Sequence, residues 1–571
     1  MTDLQRHLVT VGDRQVHYRR AGSGPPVVLL HASPLSSAWH AELALALAAA
    51  GFCAIALDTP GYGLSDPLPI AEPSIADYAS ALAETLAALG IRRCGVYGFH
   101  TGASIALELA SGRPELVAAA VLEGVTLPTA AERSALLRDY APWFPPVWEG
   151  THLVSHWSRV RDMFVFWPWF DRSEQARLAL PVPGPELIDA AVVDLLRAGE
   201  GYPRGYLAAF AQENGPALAR LAVPAAIVAD RDDPLSAHLG RLPALPPGVH
   251  SELIGGEGRD ARIVALLREL GAATTAPAPA APVVEPCPGR LVRDITPTPA
   301  GQLLTRLVAP AAPALDAAAP LPPPLVLLHA SPGSGRSLEP LLRELGRTRL
   351  AIAFDTIGNG ESDRPPWSEP TAADYADTVA AGVAARGIEQ IDLYGTHTGA
   401  MLAIEVAVRH PQLVRRLILE GVVLFGDEER DDILAHYLEP HVPQWDGAHL
   451  LRLWSVRRDA KLWWPWYRRT PDRHRPSPPP GVEAIQRDVV ELLKSGPTYA
   501  LAYRVALGYP ARDRLPLVEA RTLVCATEHD ILRGYSAEAA ALAPAARAAD
   551  VPGEPAARAE AYAAFLDDPE G

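Results

Sequence analysis

The chain has 571 residues, 67 of them acidic and 51 basic, for a formal charge of −16, and 49% are hydrophobic. That length allows several domains, each with a sizeable core, and the acidic balance argues against nucleic acid or an anionic membrane surface as the main partner. Cys53, Cys94, Cys287 and Cys525 make no CxxC or metal-type spacing, so a reducing compartment, and with it a cytoplasmic location, is expected. The opening MTDLQRHLVTVGDRQVHY lacks an apolar leader, so no signal peptide is expected. The longest apolar stretch, residues 43–57, is split by Gly51 and falls short of the ~20 residues of a bilayer span.

Along the chain, residues 8–11 and 15–18 flank the turn Gly12-Asp13 and predict a hairpin. Residues 27–30 predict a buried strand ending in His31-Ala32-Ser33-Pro34, with a helix to about Ala50. A strand over 53–57 runs into Asp58-Thr59-Pro60-Gly61-Tyr62-Gly63-Leu64-Ser65-Asp66. Ile75, Tyr78, Leu82, Leu86 and Leu89 form one helical stripe, with Ser74 as N-cap and Gly90 as stop. A strand over 94–97 leads into Gly98-Phe99-His100-Thr101-Gly102 and an apolar-periodic helix, and a strand over 119–122 ends at Glu123. Residues 127–218 break the alternation and read as a helical, tryptophan-rich cap. Alternation resumes with a strand over 225–228, a loop carrying Asp230, Arg231, Asp232 and Asp233, a strand over 251–254 and a helix over 261–270. Short buried strands alternating with helices imply a mostly parallel sheet covered on both faces.

The pattern then recurs. Gly395-Thr396-His397-Thr398-Gly399 lies 297 residues after the first pentapeptide. Asp58 and Asp355, Glu123 and Glu420, and Trp148 and Trp445 keep the 297 offset; His31 and His329, and Asp232 and Asp530, stand 298 apart. So long a period means two whole domains, not a solenoid. The expected division is a first domain at 1–271 (cap about 127–218), a Pro/Ala linker at 272–289, and a second domain at 290–571 (cap about 424–515). A second Pro/Ala stretch, 309–324, reads as a lengthened surface loop. Duplication also suggests an intrachain pseudo-dimer.

Strand, tight turn and helix are the context of the G-x-S-x-G nucleophile elbow, with imidazole in place of serine. On this pentapeptide, the His31-Ala32-Ser33-Pro34 turn and the Asp58…Gly61-Tyr62-Gly63-Leu64-Ser65 loop, the first copy resembles the α/β-hydrolase superfamily. The second copy resembles it through His329-Ala330-Ser331-Pro332 and Asp355…Gly358-Asn359-Gly360-Glu361-Ser362. The capped haloalkane dehalogenase and epoxide hydrolase branch is nearest. The resemblance implies an α/β fold class: two tandem domains, each a mostly parallel sheet with helices on both faces and a helical cap.

The family's nucleophile is Ser, Cys or Asp, and its catalytic histidine follows the last strand. Here the elbows hold His100 and His397, and neither Gly255-Gly256-Glu257-Gly258-Arg259 nor Pro552-Gly553-Glu554-Pro555-Ala556 contains a histidine. Some members carry a catalytic Glu where Glu123 and Glu420 stand. A buried Glu closing an apolar run needs a partner, and the elbow imidazole is the expected one, giving a His–Glu dyad for general base or nucleophilic work. Asp232 and Asp530, at the family's other acid position, are alternative orienters. Backbone N–H groups of Thr101 and Ala32-Ser33, and of Thr398 and Ala330-Ser331, are the expected oxyanion donors. On the caps, His152, Trp157 and Arg161 recur as His449, Trp454 and Arg458 and are candidates to face substrate. His31, His329, Asp58 and Asp355 read as structural. No cofactor and no metal is expected, since no Cys/His cluster has ligand spacing. The expected partner is a small-molecule substrate, with no nucleic acid and no membrane. These residues leave open a hydrolase, a lyase, and a non-catalytic pseudo-hydrolase that binds a ligand or serves as a scaffold.

Overall fold

The computed structural model describes residues 4–311, 322–475 and 477–568; most of the 309–324 stretch lies outside them. The chain divides into two compact units. One comprises Met1–Pro145, Thr151–Val284 and Pro443–Gly447; the other comprises Pro146–Gly150, Glu285–Val442 and Ala448–Gly571. The main seam falls inside the expected 272–289 linker. The linker's first part belongs to the first unit, where Ala272–Thr274 form a helical turn and Ala278 N–H donates to Gly24 O. Assignment of the short segments 146–150 and 443–447 departs from the expected boundaries.

The first unit is built on β1 (Gln5–Val11), β2 (Arg14–Ala21), β3 (Pro26–Leu30), β4 (Cys53–Leu57), β5 (Cys94–Phe99), β6 (Val117–Glu123), β7 (Ala225–Asp230) and β8 (Val249–Ile254). They form one sheet in the order β1-β2-β4-β3-β5-β6-β7-β8. β1 and β2 pair antiparallel, as do β2 and β4; the remaining pairs are parallel. Every residue of β3, β4 and β6 is buried, as expected where helices cover both faces. Leu82, Leu86, Ile105 and Leu109 pack in one core cluster, and Leu43, Leu47, Ile263 and Leu267 in the other. The helix Ile75–Ala88 starts at Ser74 with a capping box closed by Asp77. Between β6 and β7 lies the helical insertion, which includes Ala130–Asp139, Thr151–Asp162, Pro185–Ala198 and Pro203–Ala211.

The second unit repeats the plan with β9 (Leu291–Thr298), β10 (Gly301–Val308), β11 (Leu325–Leu328), β12 (Ala351–Phe354), β13 (Ile391–Thr396), β14 (Val414–Glu420), β15 (Arg521–Thr527) and β16 (Ala546–Val551). Their order, β9-β10-β12-β11-β13-β14-β15-β16, is that of the first sheet. Among the described residues no helix is long and apolar enough to cross a membrane.

Two buried groups hold the loops around the sheet's carboxyl ends. His31 Nδ1 lies 2.9 Å from Ala32 O, and its Nε2 accepts the Thr59 N–H at 3.0 Å. Asp58 takes the Ser37 and Leu64 N–H groups at 2.7 Å each and His17 Nδ1 at 2.8 Å. A Cβ on Gly63, at φ +55, would stand 2.0 Å from Asp58 Oδ2, so only glycine fits there.

Candidate active site

β5 ends at Phe99 and the next helix is Thr101–Gly112, leaving His100 alone at the turn with φ 51 and ψ −107; His397 has φ 52 and ψ −112. Among the described residues these are the two non-glycine positions with positive φ, a conformation costing about 1–3 kcal/mol. The flanking glycines are set by packing. A Cβ on Gly98 would stand 2.2 Å from Gly102 O, and one on Gly102 would stand 2.2 Å from Leu30 O; Gly395 and Gly399 have matching 2.2 Å conflicts. The histidine N–H groups donate to Glu123 O at 2.9 Å and Glu420 O at 2.8 Å.

The imidazole does not meet the expected glutamate. His100 Nε2 lies 2.5 Å from Asp233 Oδ2, and His397 Nε2 lies 3.4 Å from Asp530 Oδ2. Each aspartate is fixed by an N–H to its other oxygen, from Leu235 and Leu532, at 2.8 Å. Burial disfavours a charged ring, but the Asp233 carboxylate outweighs it and raises His100 above its ordinary 6.5. Burial likewise opposes the charge on His397, and Asp530 raises it. Burial would raise both aspartates, yet the facing imidazoles hold them below the usual 3.8. Each pair therefore holds imidazolium–carboxylate to higher pH than a free imidazole would, with the base form appearing as pH rises. The remaining surroundings of the rings differ: the His100 ring stacks on Phe99 with centroids 4.0 Å apart, whereas His397 Nδ1 meets Thr396 Oγ1 at 2.9 Å.

Three expectations are corrected. Asp232 is exposed, and its N–H donates to Asp230 Oδ1 at 2.9 Å; the acid that reaches the ring is its neighbour Asp233. The 297 offset that relates the pentapeptides pairs Asp530 with Asp233, whereas Asp232 stands 298 residues from Asp530. Second, the side chains of Glu123 and Glu420 meet arginine and tyrosine, not the imidazoles. Fully buried, Glu123 accepts from Arg259 Nε and Nη2 at 2.9 Å each and from Tyr97 OH at 2.8 Å. Glu420 accepts from Arg558 Nη1 at 2.9 Å, Tyr562 OH at 2.8 Å and Tyr394 OH at 2.5 Å. A guanidinium fork satisfies a buried carboxylate better than one ring nitrogen does, and Asp233 already holds that nitrogen. Arg259 opens the last helix, on the stretch that lacks the family's histidine.

Third, the candidates on the insertion stand apart from the cavity. The first unit encloses about 330 Å³ lined by His100, Asp233, Thr101, Ala32 and Ser33 and otherwise mostly by apolar side chains. From the helix Thr151–Asp162, Val160 reaches that wall; His152, Trp157 and Arg161 are not among its described lining residues. Helical phase explains this: Trp157 is fully buried and His152 is 3% exposed, while Arg161 pairs with Asp162 at 2.8 Å. In the second unit a cavity of about 160 Å³ is lined by His397, Thr398, Ala330 and Ser331, again without His449, Trp454 or Arg458 among its described lining. Trp454 is fully buried, His449 is buried, and Arg458 pairs with Asp459 at 3.0 Å. The structure thus gathers the elbow histidines with the expected oxyanion segments.

The family model for the alpha/beta hydrolase fold matches residues 25–261 and 323–441. The 2-hydroxymuconate semialdehyde hydrolase of Pseudomonas sp. (strain CF600) is 37% identical over 101 residues, 17% of this chain and 36% of that protein. The 2-hydroxy-6-oxo-2,4-heptadienoate hydrolase of Pseudomonas putida (strain F1) is 34% identical over 124 residues, 21% of this chain and 45% of that protein. The chain spans less than half the length of each of these curated relatives. Among solved structures, epoxide hydrolase A from Mycobacterium thermoresistibile aligns at 18% identity and TM-score 0.37, covering 49% of this chain and 99% of that one. With the family model matched in both units over more than half of its length, the chain belongs to the α/β-hydrolase fold family.

Proposed function

We propose that each unit is a hydrolytic site in which the elbow histidine and its aspartate form a two-residue base acting on a small carbonyl compound beneath the helical cap. The observation that carries this reading is the 2.5 Å bond from His100 Nε2 to Asp233 on the wall of a 330 Å³ cavity. Hydrolase names among the relatives support the reaction class.

In the base form, the Nδ1 edge of His100 takes a proton from water as the water oxygen bonds to the carbonyl carbon. Asp233, on the opposite ring nitrogen, stabilises the imidazolium that forms. The developing oxyanion is to be met by backbone N–H groups of Thr101 and the Ala32-Ser33 turn, the Ser33 N–H giving up its 3.4 Å bond to Thr101 Oγ1. Collapse of the tetrahedral carbon breaks its bond to the leaving group, which takes the proton back from the ring. An acid and an alcohol, or the corresponding C–C cleavage products, leave the cavity. Asp233 comes from the loop after β7, so the acid meets the elbow residue directly and no histidine after the last strand is needed.

The chain is further read as a cytoplasmic protein whose partner is a small molecule, not a nucleic acid or a membrane. Among the described residues its cysteines are unpaired, and three of the four are buried. The test is a hydrolysis screen of esters and β-diketones with the full chain, its His100→Ala and His397→Ala variants, and the double variant. Activity lost in the double variant supports the dyads; activity that persists there overturns them.

A further inference from the structure

The two cavities are lined from equivalent positions but differ in electrical character. Tyr140, Trp167 and Tyr206 line the first, and Tyr437, Trp464 and Tyr503, each 297 residues on, line the second. Against that shared frame, Val160, Phe164 and Leu178 of the first wall become Arg457, Lys461 and Arg475 of the second at the same offset. The first of these changes is a transposition on one helix, Arg159-Val160 against Val456-Arg457. Arg159 is 1% exposed and stacks against Tyr140 and Tyr206, and only Val160 is on the wall; in the second unit the guanidinium takes the wall position.

One acid that the first wall lacks accompanies these three cations. Ala191 of the first wall is replaced, 297 residues on, by Asp488, which lies 2.5 Å from Lys461 Nζ and 3.5 Å from Arg457 Nη2. Arg475 donates to Ala460 O at 3.0 Å and acts electrostatically on both His397 and Asp530. Arg457 Nε and the hydroxyls of Ser331 and Thr398 are buried without a hydrogen-bond partner among the described residues. Three cations, with the His397 ring, against Asp488 and the Asp530 carboxylate that faces that ring leave surplus positive charge on a wall that also presents several hydrogen-bond donors. A partly desolvated surplus of this kind is costly unless a ligand supplies the counter-charge. The rest of the wall, including Phe425, Tyr437 and Trp464, is apolar or aromatic.

We propose that the second cavity is a receptor for a small organic carboxylate, its charge held by Arg457, Lys461 and Arg475 and its apolar part by the aromatic wall, while the first cavity takes neutral apolar compounds. The chain would then process two substrate classes with one scaffold. This rests on the reading of the cavities as substrate sites but not on turnover, so it is tested by binding alone.

Calorimetric titration of the full chain with benzoate, its neutral isostere benzamide, phenyl phosphate and inorganic phosphate distinguishes the possibilities. Benzoate is expected to bind, more weakly as salt rises, with benzamide about tenfold or more weaker. The triple variant Arg457→Val, Lys461→Phe and Arg475→Leu copies the first wall into the second and should abolish benzoate binding. Each replacement already occurs at the equivalent place of the first unit. Arg475→Leu alone, on the least buried segment, should weaken benzoate about tenfold if the triple variant does not fold. Asp488→Ala should tighten it. Benzamide binding as tight as that of benzoate and lost in the triple variant, or unchanged benzoate binding in Arg475→Leu, overturns the proposal; preference for either phosphate probe overturns the carboxylate assignment. Retained benzoate binding by His397→Ala supports it, and turnover undiminished in that variant would count against the dyad and not against the receptor.

Discussion

Replacing Arg259 by Met tests whether Glu123 is a structural anion or a participant in chemistry. The substitution keeps the apolar stem but removes both guanidinium bonds to Glu123, leaving the fully buried carboxylate with the Tyr97 hydroxyl at 2.8 Å. Breaking a buried ion pair from one side costs about 3–5 kcal/mol. Arg259 is 27% exposed and also pairs with Asp260 at 2.7 Å, so part of its charge is already solvated and the lower end, about 3 kcal/mol, applies. For a domain of this size that corresponds to roughly 6–12 °C in the lowest-temperature transition of the full chain, read by differential scanning calorimetry. Glu123→Gln retains an acceptor for the guanidinium and should cost less, about 1–2 kcal/mol. Adding it to Arg259→Met should recover part of the loss, because no uncompensated charge is then buried. Neither change should alter the chemical step beyond the loss of folded protein. A Glu123→Gln variant with an unmoved transition and activity reduced a hundredfold would refute this reasoning and restore the glutamate as a catalytic group.

Asp233→Asn should lower any activity of the first unit by about 10²–10⁴, whereas Asp232→Asn, at an exposed loop position, should leave turnover unchanged; paired kinetic assays separate the neighbours. Because Asp233 raises His100, the base form is gained only as pH climbs past the ordinary 6.5, so the rate should rise through an alkaline-shifted limb that moves acidward in Asp233→Asn. The same pair has a stability window. The raised imidazole contributes fully below 6.5 and loses its contribution as pH rises through its folded value, while the lowered aspartate contributes above 3.8 and loses it as pH falls through its own. Urea titrations across pH should show Asp233→Asn with a flatter profile on both flanks. Gly102→Ala puts a Cβ 2.2 Å from Leu30 O and should leave the first unit misfolded, whereas Gly112→Ala, with nothing within 4 Å, should be tolerated, as circular dichroism melts would show.

The fold was readable because period and punctuation agreed. Fully apolar runs such as 53–57 admit little besides buried strands, and Ser74 with Asp77 marks a helix start that the structure retains as a capping box. The His100 turn was readable for the same reason: Gly98 and Gly102 tolerate no side chain, so their spacing reports a packing constraint directly. The partners of the acids were not. Glu123 and Asp233 both stand near carboxyl ends of strands, and which of them meets the imidazole depends on side-chain direction and on a cation from a distant helix. Arg259 lies 136 residues from Glu123, and no local pattern ties the two. Only the 297 offset carried through to Asp530 would have picked Asp233 over Asp232. The insertion was misread for a related reason: side chains recurring in both copies include the buried face of the helix, and recurrence alone does not separate that face from the one lining the cavity.

The geometry of the turn sets a final test. A residue with a Cβ held at φ 51 or 52 carries about 1–3 kcal/mol of strain that glycine would not. In an ordinary exposed site glycine is less stable than alanine, because it loses more chain entropy on folding. At residue 100 the order should invert. His100→Ala loses the Asp233 pair and keeps the strain; His100→Gly loses the same pair and releases it. The glycine variant should therefore be the more stable of the two by about 1–2 kcal/mol in denaturant melts, and the same inversion should hold at His397. If alanine proves equal or better at both positions, the turn is relaxed, and the imidazoles sit there without the conformational cost that a retained function would have to offset.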